Sequence, residues 1–175
     1  MVLGVALTAG GVVLPSAGQA DAVVPPASTA TTFSIVTGAL SISAPAAANL
    51  GGAPSGSTHL SALLGDVQVI DARAGDAGSW IATVSSTSFV TGGGGAADII
   101  PSSDVTYDPG EAVQITGTGT FTAGPPGTLG SAITAFSATS EVGSTSVEWN
   151  PQITIAIPPA AVAGVYTGTI THSVA

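Results

Sequence analysis

Between Ile153 and Val174, apolar and polar residues alternate in two runs separated by a proline pair and a glycine. Ile153, Ile155 and Ile157 share one face, with Thr154 and Ala156 between them, which is the period of a half-buried strand. Pro158 and Pro159 end the run, because proline has no N–H to donate to a ladder. Gly164 supplies a turn. Tyr166, Gly168, Ile170, His172 and Val174 then fall on one face, and Thr167, Thr169, Thr171 and Ser173 on the other. This spacing commits the end of the chain to a sheet and predicts a closing hairpin with a tight connection.

The same reading runs through the rest of the chain. Phe33–Ile35 and Leu40–Pro45 read as a first strand bent at Gly38, and residues 46–58 as a loop. Ser61–Leu64 fits a single helical turn. Val67–Asp71 is a strand, and Ala72–Gly78 a turn-rich connection. Ser79–Val90 is a long strand with Trp80, Ala82 and Val84 on one face and, without a bulge, Phe89 on the other. Ile99–Val105, Val113–Thr122 and Ile133–Thr139 add further strands, and Asp108-Pro109-Gly110 is a turn. The expectation is an all-β fold, an antiparallel Ig-like β-sandwich of about seven or eight strands.

Composition limits what such a fold can do. Only 6% of the 175 residues are charged, ten acids stand against the single base Arg73, and the net charge is −9. One arginine cannot neutralise a phosphate backbone, which excludes a nucleic-acid role. The same imbalance disfavours an anionic lipid surface. With no cysteine, thiol-based metal and redox chemistry is excluded.

Residues 2–14 are an apolar run of signal-peptide length, too short to span a bilayer comfortably. Small residues follow, with cleavage expected after Ala20 or Ala22. No Lys or Arg lies near Met1, so the segment reads as a leader truncated at its N-terminus. The expected organisation is a signal peptide over 1–22, a flexible linker over 23–31 and a sandwich domain over 32–175. The mature chain would be secreted and carry no transmembrane anchor.

Residues that can carry chemistry are few. His59 and His172 are the two histidines, and His172 reads as a core or rim histidine with one hydrogen bond. Gly56-Ser57-Thr58 and Gly78-Ser79-Trp80 lack the nucleophile-elbow frame. Asp98, Asp104, Asp108 and Glu111 fit no calcium-loop motif and read as solvated turn carboxylates. Asp71 and Glu148 as a glycosidase pair would need a sugar cleft. Arg73, the lone cation, is expected to pair with Asp71 or Asp76 and to fix the turn before Trp80. Trp149, just ahead of Asn150-Pro151, is expected at a strand start and partly exposed. No catalytic residue, metal site or cofactor is expected.

Two passages carry a resemblance. One is Val69-Ile70-Asp71-Ala72-Arg73 through Gly78-Ser79-Trp80-Ile81-Ala82. The other is Ile157-Pro158 through Gly164-Val165-Tyr166-Thr167-Gly168 to His172-Ser173-Val174. Together, over about residues 32–175, they resemble the WxL domain family of secreted Gram-positive surface proteins. That family's pattern is a valine-rich strand, an Asp-x-Arg turn with glycine, Trp-x-Leu, then Gly-x-Tyr-Thr and a second Trp-x-Leu. The chain departs from it at Ala82 and at His172-Ser173-Val174.

The resemblance implies a non-enzymatic, exported module bound non-covalently to peptidoglycan or to surface proteins. It marks Trp80, Trp149, Tyr166 and His172 as candidate wall-binding residues, and Asp71, Arg73 and Gly78 as a structural turn. A second expectation is a structural subunit, pilin-like or spore-coat-like, that self-associates through edge strands.

Overall fold

The computed structural model describes residues 29–175, apart from the side chains of Ala74 and Asp76. The expected signal peptide and most of the expected linker lie outside the described residues. Residues Ile35–Ala175 form one compact unit. Its regular structure is almost entirely antiparallel strand, with two single turns of 3-10 helix, Ala96–Asp98 and Ser102–Asp104. Among the described residues, no helix is long and apolar enough to cross a membrane.

One sheet has five strands. Its centre is β3 (Val67–Ser86), paired with β9 (Ile133–Trp149), which pairs in turn with β7 (Ala112–Ala123). The other side of β3 is shared by β1 (Leu40–Ser43) against Gln68–Asp71 and β11 (Ile170–Val174) against Ala82–Ser86. The second sheet runs β2 (His59–Leu63), β10 (Gln152–Ala156), β6 (Val105–Asp108), β8 (Gly127–Thr128). A small ribbon joins β4 (Phe89–Val90) to β5 (Ile99–Ile100).

The three longest strands are folded over. Phe136 and Trp149 lie thirteen residues apart in β9, about 43 Å if the strand were straight. Their rings nevertheless stack with centroids 4.9 Å apart. The bend crosses all three strands at one level. In β3 the register shifts between Asp71 and Gly78, and Ala77 takes φ 61°. In β9, Ser140 and Gly143 take φ 55° and 72°. In β7, Gly117 takes φ 90° beside a further shift. Extra residues on one strand of a ladder bend it and increase its twist.

Both halves of the folded strands therefore line one core. Val67, Val69, Trp80, Ala82, Val84, Phe136, Val147 and Trp149 come from the larger sheet. Val105, Tyr107, Ile153 and Ile155 come from the smaller one.

Several expectations are corrected here. The strand expected from Phe33 begins only at Leu40, and Ser61–Leu64 is not helical but largely β2. Ala72–Gly78 is not a connection: β3 passes through it as an irregular bend, so Asp71, Arg73 and Gly78 sit within one ladder. Strand doubling and the short β4, β5 and β8 raise the count above seven or eight. The closing hairpin does not form either. β10 belongs to the smaller sheet and β11 to the larger, so residues 157–169 cross between sheets. Pro158-Pro159 ends β10, as expected, and the crossing needs the length that follows.

Candidate functional site

The expected site residues fall into two clusters and a groove. The first cluster braces the bend. Asp71 is buried, and its Oδ1 accepts from the Arg73 backbone N–H at 2.9 Å. The Arg73 guanidinium grips the same carboxylate through Nε, at 3.0 and 3.1 Å, and through an NH2 group at 2.6 Å. That NH2 group also donates to the Ser79 carbonyl at 2.8 Å, so one side chain spans the irregular stretch. The expected pairing of Arg73 with Asp71 is present. The Arg73 hydrogen bonds hold the Asp71 carboxyl below its ordinary range against the opposing effect of burial.

Across the ladder stands Glu141 of β9, fully buried. Its Oε1 accepts from Trp80 Nε1 at 2.9 Å and from Thr145 Oγ1, while Oε2 has no hydrogen-bond partner among the described residues. Gly78 is where β3 approaches this residue. A Cβ there would lie 3.4 Å from the Glu141 Cβ.

The second cluster ties the two sheets together. Trp149 Nε1 donates to the Tyr107 hydroxyl at 2.8 Å, and that hydroxyl lies 3.1 Å from His172 Nε2. The hydroxyl accepts from Trp149 and shares a further hydrogen bond with Nε2 of the imidazole. Nδ1 is buried and has no hydrogen-bond partner among the described residues. Burial lowers the His172 pKa to about 4 and raises that of Tyr107 above its ordinary value. His172 thus sits where its alternation placed it, inward with one hydrogen bond.

Trp80 is 2% exposed and Trp149 0%. With both indole N–H groups bonded inside the protein, neither ring has a face on which a sugar could stack. This corrects their assignment as wall-binding candidates and the expected exposure of Trp149, which ends β9 against buried Pro151 rather than opening a strand. Tyr166 is half-buried, with its hydroxyl near the Val162 and Ala97 carbonyls at 2.9 and 3.1 Å. It fastens the 157–169 crossing and is not an exposed platform.

What remains open is a groove of about 1180 Å³ between the sheets, floored by Leu60, Leu64, Phe89, Ile100, Ile155 and His172. Among the described residues, no charged side chain lines it. One wall is the 157–169 crossing. It is laced to the ribbon by Val90 and Thr167 exchanging both backbone hydrogen bonds and by Thr87 N–H on the Thr169 carbonyl. The other wall, residues 44–58, is held mainly by its own turns, Ser57 N–H to the Pro54 carbonyl and Gly51 N–H to Asn49 Oδ1, and by Ile157 N–H on the Thr58 carbonyl. A neutral, apolar-floored groove with backbone-rich walls suits an uncharged extended ligand.

The acidic residues outside these clusters do local work. Asp98 Oδ2 accepts from Gly95 N–H at 3.0 Å, and Asp108 Oδ1 from Gly110 N–H at 3.0 Å. Among the described residues, no group of three or more His, Asp or Glu is placed to hold a metal. Asp71 is committed to Arg73. Glu148 accepts from Gln68 Nε2 at 3.2 Å on the opposite face of the sheet.

Sequence reasoning missed Glu141, Thr145 and Tyr107. Glu141 had a signal: a lone acid inside a run of small and hydroxyl residues. Tyr107 had none beyond its type.

The fold is all-β and built of antiparallel sheets. Comparison with family models, with curated proteins and with solved structures found nothing that matches this chain.

Proposed function

We propose that this chain is an Ig-like β-sandwich acting as a secreted, non-enzymatic surface module. In this reading residues 1–22 are a leader, 23–31 a linker and 32–175 the functional domain. It associates non-covalently with peptidoglycan or with surface proteins through the groove between its sheets. The uncharged groove carries the reading, because it offers shape, backbone groups and apolar surface to a ligand but no acid–base pair. The resemblance to secreted WxL modules supplies the wall as the partner. The two tryptophans serve this function only by holding the scaffold.

Retention on purified peptidoglycan tests it. Ala163 is exposed on the groove wall, so Ala163→Trp obstructs the groove with a bulky ring without touching the core. The folded wild type is expected to be retained and Ala163→Trp to pass through. Retention unchanged by that substitution would remove the groove from the reading.

A second reading, a subunit of a surface assembly joined by edge strands, is favoured by β7. Among the described residues, this 12-residue strand pairs on one side only, and it has no charged residue along its length. Val113 and Ile115 stand exposed on it. Such an edge is a template for another strand.

A further inference from the structure

The segment ahead of β1 is out of keeping with its surroundings. Phe33, Ile35 and Val36 are 88%, 80% and 85% exposed. Residues Thr31–Val36 read Thr-Thr-Phe-Ser-Ile-Val, free of charge, proline and glycine and rich in strand-forming side chains. Phe33 and Ile35 alternate with Thr32 and Ser34, so in an extended chain they point the same way. Ile35 and Val36 are exposed and do not line this chain's own groove.

The groove presents the complementary half. Among the described residues, β2 pairs with β10 on one side only, and β11 with β3 on one side only. Both strands contribute to the groove, through Leu60 from β2 and through Ile170 and His172 from β11. All three are only partly buried. A half-paired strand offers free N–H and C=O groups to an incoming one, and backbone pairing with alternate side chains in pockets is a general mode of peptide capture. At about 3.3 Å per residue, a six-residue segment spans about 20 Å, against about 17 Å for β2.

Resting on the reading of the groove as a binding site, we propose that its occupant is Thr31–Val36 of a second copy of this chain, laid in as an added strand. Each copy then carries a donor segment and an acceptor groove at different places. The contact is heterologous and propagates head to tail unless the rotation closes a ring. Like copies of net charge −9 repel one another, but neither the segment nor the groove contains a charge. Added salt therefore strengthens the association by screening the rest of the surface.

The test uses the full chain, with mass measured by light scattering after size exclusion over a wide concentration range. The donor variant is Phe33→Asp with Ile35→Asp, and the acceptor variant is Ala163→Trp. All three positions are exposed, so cooperative melting is expected to match the wild type. The wild type should associate with rising concentration, and each variant should need at least about tenfold more protein to do so. Mixing the two variants should give a terminated one-to-one dimer, because one keeps the groove and the other keeps the segment. A wild type that stays monomeric throughout overturns the proposal. So does a donor variant that associates like the wild type while Ala163→Trp does not; that outcome leaves the groove as a site but takes away this occupant. Association unchanged in both variants removes the groove as well.

Discussion

The two tryptophans of this chain are held in opposite ways. Trp80 sits at the bend, its indole N–H on Glu141, beside the buried Asp71 and the Arg73 that grips it. Trp149 sits where the two sheets meet, its indole N–H on a tyrosine hydroxyl that continues to a neutral histidine. One anchor is charged and local to a distorted ladder. The other is neutral and joins strands far apart in sequence. Irregular backbone leaves groups that a carboxylate or a guanidinium can reach at several points, as Arg73 does at Asp71 and Ser79. Packed sheets offer no such backbone groups, so there the polar tips of aromatic residues satisfy one another inside the core.

The comparison is broken most severely at the neutral anchor. Trp149→Ala removes the stack on Phe136, opens a cavity and leaves the Tyr107 hydroxyl without its donor. A loss of about 3–5 kcal/mol is expected, read as a lower midpoint in urea. At the bend, Glu141→Ala strands two buried donors, Trp80 Nε1 and Thr145 Oγ1. Removing the acceptor of buried donors costs about 1–3 kcal/mol each at most, and Thr145 can turn its hydroxyl elsewhere, so about 2–3 kcal/mol is expected. If Glu141→Ala proved as costly as Trp149→Ala, the bend would share the main core's cooperativity rather than brace it locally.

Acid separates the two anchors by pH window. The folded His172 titrates at about 4, against about 6.5 when unfolded. As pH falls, the unfolded chain takes up this proton first. Stability therefore drops between pH 6.5 and 4 and levels off below, by about 3 kcal/mol in all. Asp71 has a depressed folded pKa, so its contribution is present above its unfolded value, near 3.9. That contribution is lost as pH falls below this value toward the folded pKa. His172→Phe should flatten the upper window and leave the lower one. Arg73→Ala should flatten the lower window and leave the upper one. Urea midpoints at closely spaced pH values check both, and an upper window surviving in His172→Phe would assign it to another group.

The alternation in β10 and β11, the inward place of His172 and the pairing of Arg73 were legible because each depends on neighbours in sequence. The misreadings share one cause. Residues 72–78 carry the Asp, Gly and Arg of a turn, but the same residue types build a bulge, and only the partner strand distinguishes the two. Pro158-Pro159 and Gly164 likewise mark the end of a strand and a change of direction without saying which sheet receives the next strand. Trp149 looked accessible because Asn150-Pro151 resembles a surface turn, whereas Pro151 is itself buried. The groove was invisible for a related reason: it is made by strands distant in sequence, each contributing residues that look like ordinary core.

The smallest effect tests whether the bend is held by glycine geometry or by the charged cluster. Gly117 takes φ 90°, and a Cβ there would meet the Ser144 carbonyl oxygen at 2.7 Å. Gly117→Ala should therefore cost about 1–3 kcal/mol for the left-handed backbone, with the clash in addition. Gly75 lies at the same level of the sheet, in open space and without a positive φ. There alanine restricts the unfolded chain and strains nothing, so Gly75→Ala should be neutral or stabilising by up to about 1 kcal/mol. Thermal melts of the two variants side by side decide the matter. A bend held by Asp71, Arg73 and Glu141 alone would tolerate both, whereas a bend that also depends on backbone freedom in β7 rejects only the first.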